Sequence, residues 1–228
     1  MIERYTRPEM GHLWSIQNEW QTILNVEIAA CEAMAELGEI PAAAVENIKK
    51  NAKFDVARIN EIEKTTDHDI IAFLTNLEEN VGEDSKYIHK GLTSSDVKDT
   101  AYCVMMRDAA AIILDDLRAF REVLRRRADE FRHTPCIGRT HGIHAEPMTF
   151  GLKLLLWSAE IERDIERLTR AQKVVSVGKL SGAVGTYSNI DPRIEELTCK
   201  KLGITPVRLA TQVIQRDRHA EFVTTLAI

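Results

Sequence analysis

Four of the seven histidines of this chain fall in segments that could move protons or hold an anion. The densest is Gly138–Pro147, GRTHGIHAEP, which gathers Arg139, Thr140, His141, His144 and Glu146. TTDHDIIAF sets His68 between Asp67 and Asp69, and KYIHKGLTSSD sets His89 just ahead of Thr93 and Ser94. Imidazole titrates near neutrality, so it exchanges protons under ordinary conditions, and an adjacent carboxylate sets its tautomer or charge. Each segment also has a plainer reading. His68 could be a helix-start residue flanked by the capping carboxylates Asp67 and Asp69. Thr93-Ser94-Ser95-Asp96 could be an N-cap cluster alone, although a helix start with free N–H groups and hydroxyls is a ready anion site. His141 and His144 are spaced H-x-x-H, whereas metal pairs on helices are more often four apart, so the spacing gives a metal site little support.

Helices must position these segments. From Gln17 to Leu37 apolar residues recur at three- and four-residue steps, and Gly38 and Pro41 supply stop signals. Pro41 suits the start of a second helix, Asp55 can cap a third, and Ile70 to Asn80 continue the pattern to Gly82. The sequence therefore predicts a small helical domain over 1–93. No Gly or Pro interrupts the chain from Asp96 to Thr134, which predicts one helix over 95–132, roughly 55 Å long at 1.5 Å per residue. A rod of that length needs long partners, and Met148 to Val175 offers one, with Phe150, Leu154, Trp157, Ile161, Ile165 and Leu168 near heptad spacing. GRTHGIHAEP then joins two antiparallel rods as a polar loop. Gly178, Gly182 and Gly185 break the second rod and should let the backbone approach another surface closely. Asp191-Pro192 start a short helix ending at Gly203, and a weak strand signal lies around 204–210. The expected fold class is all-α, with 94–228 the first part of a long-helix bundle. A new apolar pattern from Arg216 reaches Ile228 without a cap, so the expectation is that other chains complete the bundle or that the protein is longer.

Composition narrows the partners. A net charge of -5 and a pI near 5.9 disfavour a general nucleic-acid or membrane-surface binder, because an acidic field repels polyanions. No basic start with an apolar core and no run of about 20 apolar residues occurs, so the chain reads as soluble and cytoplasmic. Cys31, Cys103, Cys136 and Cys199 form no C-x-x-C pair, which predicts reduced, mostly buried thiols. Arg125-Arg126-Arg127 alternate with acids at helical spacing and read as a solvated, salt-bridged face.

Six collinear motifs carry a resemblance: RYTRPEM (4–10), TTDHDIIAF (65–73), HKGLTSSDVKDTA (89–101), GRTHGIHAEPMTFGLK (138–153), GKLSGAVGTYSNIDP (178–192) and TQVIQRDRHAE (211–221). Together the chain resembles the adenylosuccinate lyases, a branch of the fumarase/aspartase superfamily, along its whole length. The resemblance implies a C–N lyase that releases fumarate from adenylosuccinate and from the succinyl-carboxamide intermediate of purine synthesis, as a homotetramer with shared sites and no metal or organic cofactor. It implies that His141 is the general acid for the leaving nitrogen, with His68 orienting or sharing charge with it across a neighbouring subunit. It further implies substrate contacts from Arg4, Tyr5, Asp67, His68, Asp69, Thr93, Ser94 and Gln212, with His89 as a phosphate partner. Asp67 stands where some members carry Arg. The family's S-S-x-M-P-x-K-x-N-P loop, which supplies the serine base, does not occur in these residues, so the 228-residue chain is expected to be inactive alone.

Overall fold

The structure, a computed structural model, describes residues 2–228 apart from the Glu3 side chain. In chain order the helices are α1 (Pro8–Leu13), α2 (Ile16–Glu36), α3 (Ala42–Asn51), α4 (Val56–Thr66), α5 (Asp69–Val81), α6 (Ser94–Glu130), α7 (Phe150–Val175), α8 (Pro192–Leu202) and α9 (Asp217–Ala227). Strands β1 (Pro135–Thr140) and β2 (Ile143–Thr149) form one small antiparallel sheet, and β3 (Val177–Gly178) and β4 (Thr205–Pro206) a parallel one. The all-α expectation holds. Packing groups the residues up to Asp108 with Val175–Asp217 as one unit, and Ala109–Val174 with Arg218–Ile228 as another.

In the first unit, local chemistry starts and stops the helices where the sequence predicts. Asp55 accepts hydrogen bonds from the Ala57 and Arg58 N–H groups to open α4. The Glu39 N–H donates to the Met34 carbonyl at 2.9 Å beyond Gly38, closing α2 in a Schellman motif. Asp191 caps α8, Pro192 occupies its first turn, and Gly203 closes it. The apolar stripe of α2 buries Ile23, Leu24, Val26, Ala30 and Met34, and Trp20 stacks on Phe73 of α5 at 4.9 Å. Val97 and Ala101 of α6 and Ile194 of α8 extend the same core. Burial of a side chain such as Phe73 or Ile59 is worth about 1.5–3 kcal/mol, so this apolar cluster is the main source of the unit's stability.

Glycines bring the 176–191 segment against its neighbours at two of the three expected places. A Cβ on Gly178 would sit 2.7 Å from the Cys199 sulfur, and one on Gly185 only 2.1 Å from the Ala210 carbonyl oxygen, while the space beside Gly182 is open. Gly185 also has φ +80, a region that side chains oppose. Gly185→Ala is therefore expected to cost on the order of 1–3 kcal/mol, read as a lower urea midpoint. An unchanged midpoint would show that the Ala210 segment yields without cost.

In the second unit, Leu124 and Ala128 of α6 pack on Leu154 of α7, with the Phe131 and Phe150 rings 5.3 Å apart. Of the expected seam on α7, Leu154 and Leu168 are buried but Trp157 is exposed. Leu152, Leu155 and Leu156 are exposed as well, and they border an open groove of about 870 Å³ that reaches Arg139 and Met148. The Arg125 guanidinium meets Glu162 at 3.2 Å, in keeping with a salt-bridged face.

Residues 135–149 depart from the expected loop: they form a β-hairpin. Thr140 pairs with Ile143, so His141 and Gly142 are the two turn residues, with φ of +53 and +76. Positive φ at both positions is the type I′ pattern, whose twist matches the flanking strands. A register shift between Ile137 and Arg139 leaves Ala145 and Glu146 opposite Gly138 alone. The sequence hid these strands because both faces are largely exposed and Pro135, Gly138, Gly142 and Pro147 read as loop punctuation, which masks the short Ile143-His144-Ala145-Glu146 alternation. Pro135 and Pro147 are tolerated because a two-stranded ribbon consists of edges. Among the described residues no helix is long and apolar enough to cross a membrane.

Candidate functional site

The joint between α4 and α5 carries the Asp67-His68-Asp69 tripeptide. Asp67 ends α4 in a left-handed conformation (φ 49), and His68, extended, is itself the N-cap of α5. Neither flanking carboxylate takes the N-cap role that the plain sequence reading gave them. The His68 Nδ1 faces the Ile71 N–H at 3.4 Å, and its Nε2 lies 3.5 Å from the Ser94 Oγ at the start of α6. Nδ1 also lies 3.6 Å from the Asp69 Oδ1, so one ring nitrogen is turned to the tripeptide and the other to Ser94. These contacts are long, so the exposed ring is steered and not locked.

Asp69 is held more firmly. Its Oδ1 accepts from the Ile70 N–H at 2.7 Å, and its Oδ2 accepts from the Lys98 ammonium. Burial alone would raise the Asp69 pKa, but the Lys98 and Ile70 hydrogen bonds outweigh it and the pKa is lowered. The group is a carboxylate with a fixed counter-ion. Lys98 was absent from the sequence-based site, although it lies four residues beyond Ser94 and hence on the same face of α6.

The start of α6 is anchored from inside. Asp96, fully buried, accepts from the Thr93 N–H at 2.9 Å and from Lys179 at 2.5 Å. It also accepts from the Ser181 and Gly182 N–H groups, each at 3.2 Å. The Lys179 side chain is equally buried and donates its second bond to the Gly182 carbonyl at 2.6 Å. One carboxylate thus ties the GKLSG segment to the TSSD helix start and leaves Thr93 and Ser94 on the more open side. One turn further, Asp99 accepts from the Ile214 N–H and from both terminal nitrogens of Arg216, fixing the segment that carries Gln212.

His89 has a separate partner. Its Nδ1 lies 2.6 Å from Glu27 Oε1, and its backbone N–H donates to Glu27 Oε2 at 3.0 Å. Its φ of +63 costs about 1–2 kcal/mol for a residue with a side chain, which the backbone bond offsets. Burial would lower the His89 pKa, but the hydrogen bond and charge of Glu27, with Asp96 behind, turn the net shift upward.

His68, Asp69 and Ser94 are thus brought together, with Lys98 joining them, and His89 is seated on Glu27. Arg4 and Tyr5 occupy a short 3-10 turn, with the guanidinium 4.8 Å from the Tyr5 ring centre, and both side chains are exposed. Gln212 is exposed on the segment after β4. His141 stands exposed at the hairpin tip in the second unit, and His144 faces Arg139 across the ribbon. Among the described residues no group of three or more His, Cys, Asp or Glu could hold a metal ion. Cys31, Cys103 and Cys199 are buried and Cys136 is half-buried, and none of the four is in a disulfide.

A family described as Lyase matches residues 3–228. The whole chain aligns at 51% identity with an adenylosuccinate lyase of Bacillus subtilis and at 55% with one of Synechocystis, in each case covering 53% of that protein. The chain therefore spans about half the length of the curated relatives it matches. Among solved structures, a fumarate lyase from Mesorhizobium superposes with a TM-score of 0.90 at 29% identity, over 98% of this chain and 54% of that one. A β-carboxy-cis,cis-muconate cycloisomerase from Acinetobacter calcoaceticus gives 0.89 at 28%, over 96% and 54%. On the match across residues 3–228, the chain belongs to the lyase family, of the fumarase/aspartase type.

Proposed function

We propose that the protein carrying this chain is an adenylosuccinate lyase, cleaving adenylosuccinate to AMP and fumarate and the succinyl-carboxamide intermediate to its carboxamide product. The observation that carries this reading is identity of 50% or more to curated adenylosuccinate lyases over all 228 residues. A β-elimination needs a base for the carbon-bound proton, hydrogen-bonding or positive groups for the carbanion-like intermediate, and an acid for the leaving nitrogen. His141 is the acid in this reading, and its exposure on a turn leaves the imidazole free to reach a ligand. His68, beside Ser94 and the start of α6, supports it, and the N–H groups and hydroxyls of Thr93 and Ser94 suit an anion. Arg4, Tyr5, Asp67, Asp69 and Gln212 contribute further substrate contacts, and His89 a phosphate contact. The serine base comes from outside these residues, so the 228-residue chain alone is inactive.

The same reading makes the protein a cytoplasmic homotetramer with sites shared between subunits, of which 1–93 and 94–228 are the N-terminal domain and the first part of the bundle. The exposed apolar face of α7 supports association, because a lone soluble chain rarely leaves Leu152, Leu155, Leu156 and Trp157 in water together. With the full-length protein, adenylosuccinate is expected to release fumarate without added metal or cofactor, followed by absorbance. No turnover would overturn the proposal.

A further inference from the structure

Glu27 is a buried acid in the middle of α2, its side chain only 1% exposed, among the apolar residues of the first unit's core. Both its oxygens go to one residue: Oε1 to the His89 ring and Oε2 to the His89 backbone N–H. Two points of attachment fix the ring's orientation as well as its place. With Nδ1 committed inward, Nε2 is the ring's remaining polar atom, on a side chain that is 15% exposed.

The charges around the ring leave the cation role to His89. From α2, the Cys31 thiol donates to the Tyr87 carbonyl at 3.5 Å, and burial pushes its pKa far up, so it is neutral. From α6, Asp96 is matched by Lys179. Lys90 turns instead toward the Glu39 carbonyl, at 3.4 Å. A carboxylate removed from water needs a partner of opposite sign, and among the described residues the group in contact with Glu27 that can supply it is the imidazole.

We propose that Glu27 is a positioning residue: its carboxylate holds the His89 ring as an imidazolium, with the Nε2–H presented to an anionic ligand group. Under the function proposed above, that anion is the phosphate of the nucleotide; the presence and identity of the anion rest on that reading, while the Glu27–His89 pairing does not. Glu27 does not touch the ligand. It raises the share of the ring that is protonated near neutral pH, and a charge-assisted hydrogen bond to phosphate is roughly twice as strong as a neutral one.

A histidine whose pKa is raised on folding contributes stability that is complete below its unfolded value of about 6.5 and is lost as pH climbs through the folded value. The direction seen for His89 therefore predicts a stability difference between wild type and Glu27→Gln that is largest in mild acid and shrinks toward alkaline pH.

The test uses the full-length protein with Glu27→Gln, which keeps the side-chain volume and an acceptor for the His89 N–H but removes the charge. Three readouts serve: the NMR titration of the His89 ring without ligand, the Kd for AMP and for inorganic phosphate between pH 6 and 8.5, and the split of KM from kcat. In the wild type the ring should titrate above the ordinary histidine range and affinity should follow that titration. In Glu27→Gln the ring should titrate lower, AMP should bind on the order of tenfold more weakly at pH 8, and the loss should fade near pH 6. KM should rise far more than kcat falls, and Glu27→Asp should recover part of the affinity. An unchanged titration in Glu27→Gln, or weakening that is equal at every pH, overturns the proposal. Should that variant not fold, a wild-type ring titrating at or below the ordinary range does so by itself. Failure to release fumarate from adenylosuccinate would instead sink the proposed function, and the ring titration with its response to inorganic phosphate would still judge Glu27.

Discussion

His141→Asn in the full-length protein is expected to lower kcat by a factor on the order of 10² or more while leaving the melting temperature unchanged or slightly higher. The two effects separate because residue 141 has a turn to hold and, under the proposed function, a proton to donate. As the first residue of a type I′ turn it must hold φ near +53, which histidine does under strain and asparagine does readily; Asn-Gly is the preferred pair for such a turn. As the proton donor of the proposed function it needs an imidazole, which an amide cannot replace. A strained backbone at an exposed position, where a better turn former would fit, is what a residue retained for chemistry looks like. His144, paired with Arg139 along the ribbon, lacks this signature, and His144→Gln is expected to keep most of the activity. A near-wild-type kcat for His141→Asn would reassign His141 to the hairpin alone.

Lys179→Met is expected to destabilise the first unit by about 3–5 kcal/mol, read as a fall in the urea midpoint. Lys179 and Asp96 are both fully buried, so methionine would fill the space but strand a carboxylate in the core. That carboxylate also collects the Thr93, Ser181 and Gly182 N–H groups. Losing its counter-charge therefore loosens the start of α6 and the glycine-rich segment together. Adding Asp96→Asn should return part of the loss, because a neutral amide tolerates burial without a cation and keeps an acceptor for the N–H groups. A single variant as stable as wild type would mean that the pair is dispensable and that the apolar cluster around Ile194 and Leu180 holds the segment alone.

Helix positions were legible in the sequence because their causes are local. The caps at Asp55 and Asp191, the stops at Gly38 and Gly203, and the α2 stripe through Trp20 and Met34 depend on residues within one or two turns. The motif segments around His68, His89 and His141 were legible too, since unusual residue types stand out against helical periodicity. The hairpin was not, because its strands bury neither face and are dotted with Gly and Pro that read as a loop, and its turn uses His-Gly where Asn-Gly would have announced it.

Only the tertiary structure decided which charge answers which. Glu27 and His89 are 62 residues apart, Lys98 and Asp69 are 29, and Asp96 and Lys179 are 83. In sequence, Glu27 reads as a polar residue on an amphipathic helix and Lys179 as a cation in a glycine-rich loop. The helix-packed core brings each to a partner that no spacing rule connects, and removal from water then makes the pairing obligatory. By itself the sequence determined the helices, the segments that carry chemistry and the family; folding determined the partners and direction of the groups within them, because both depend on neighbours that only packing supplies.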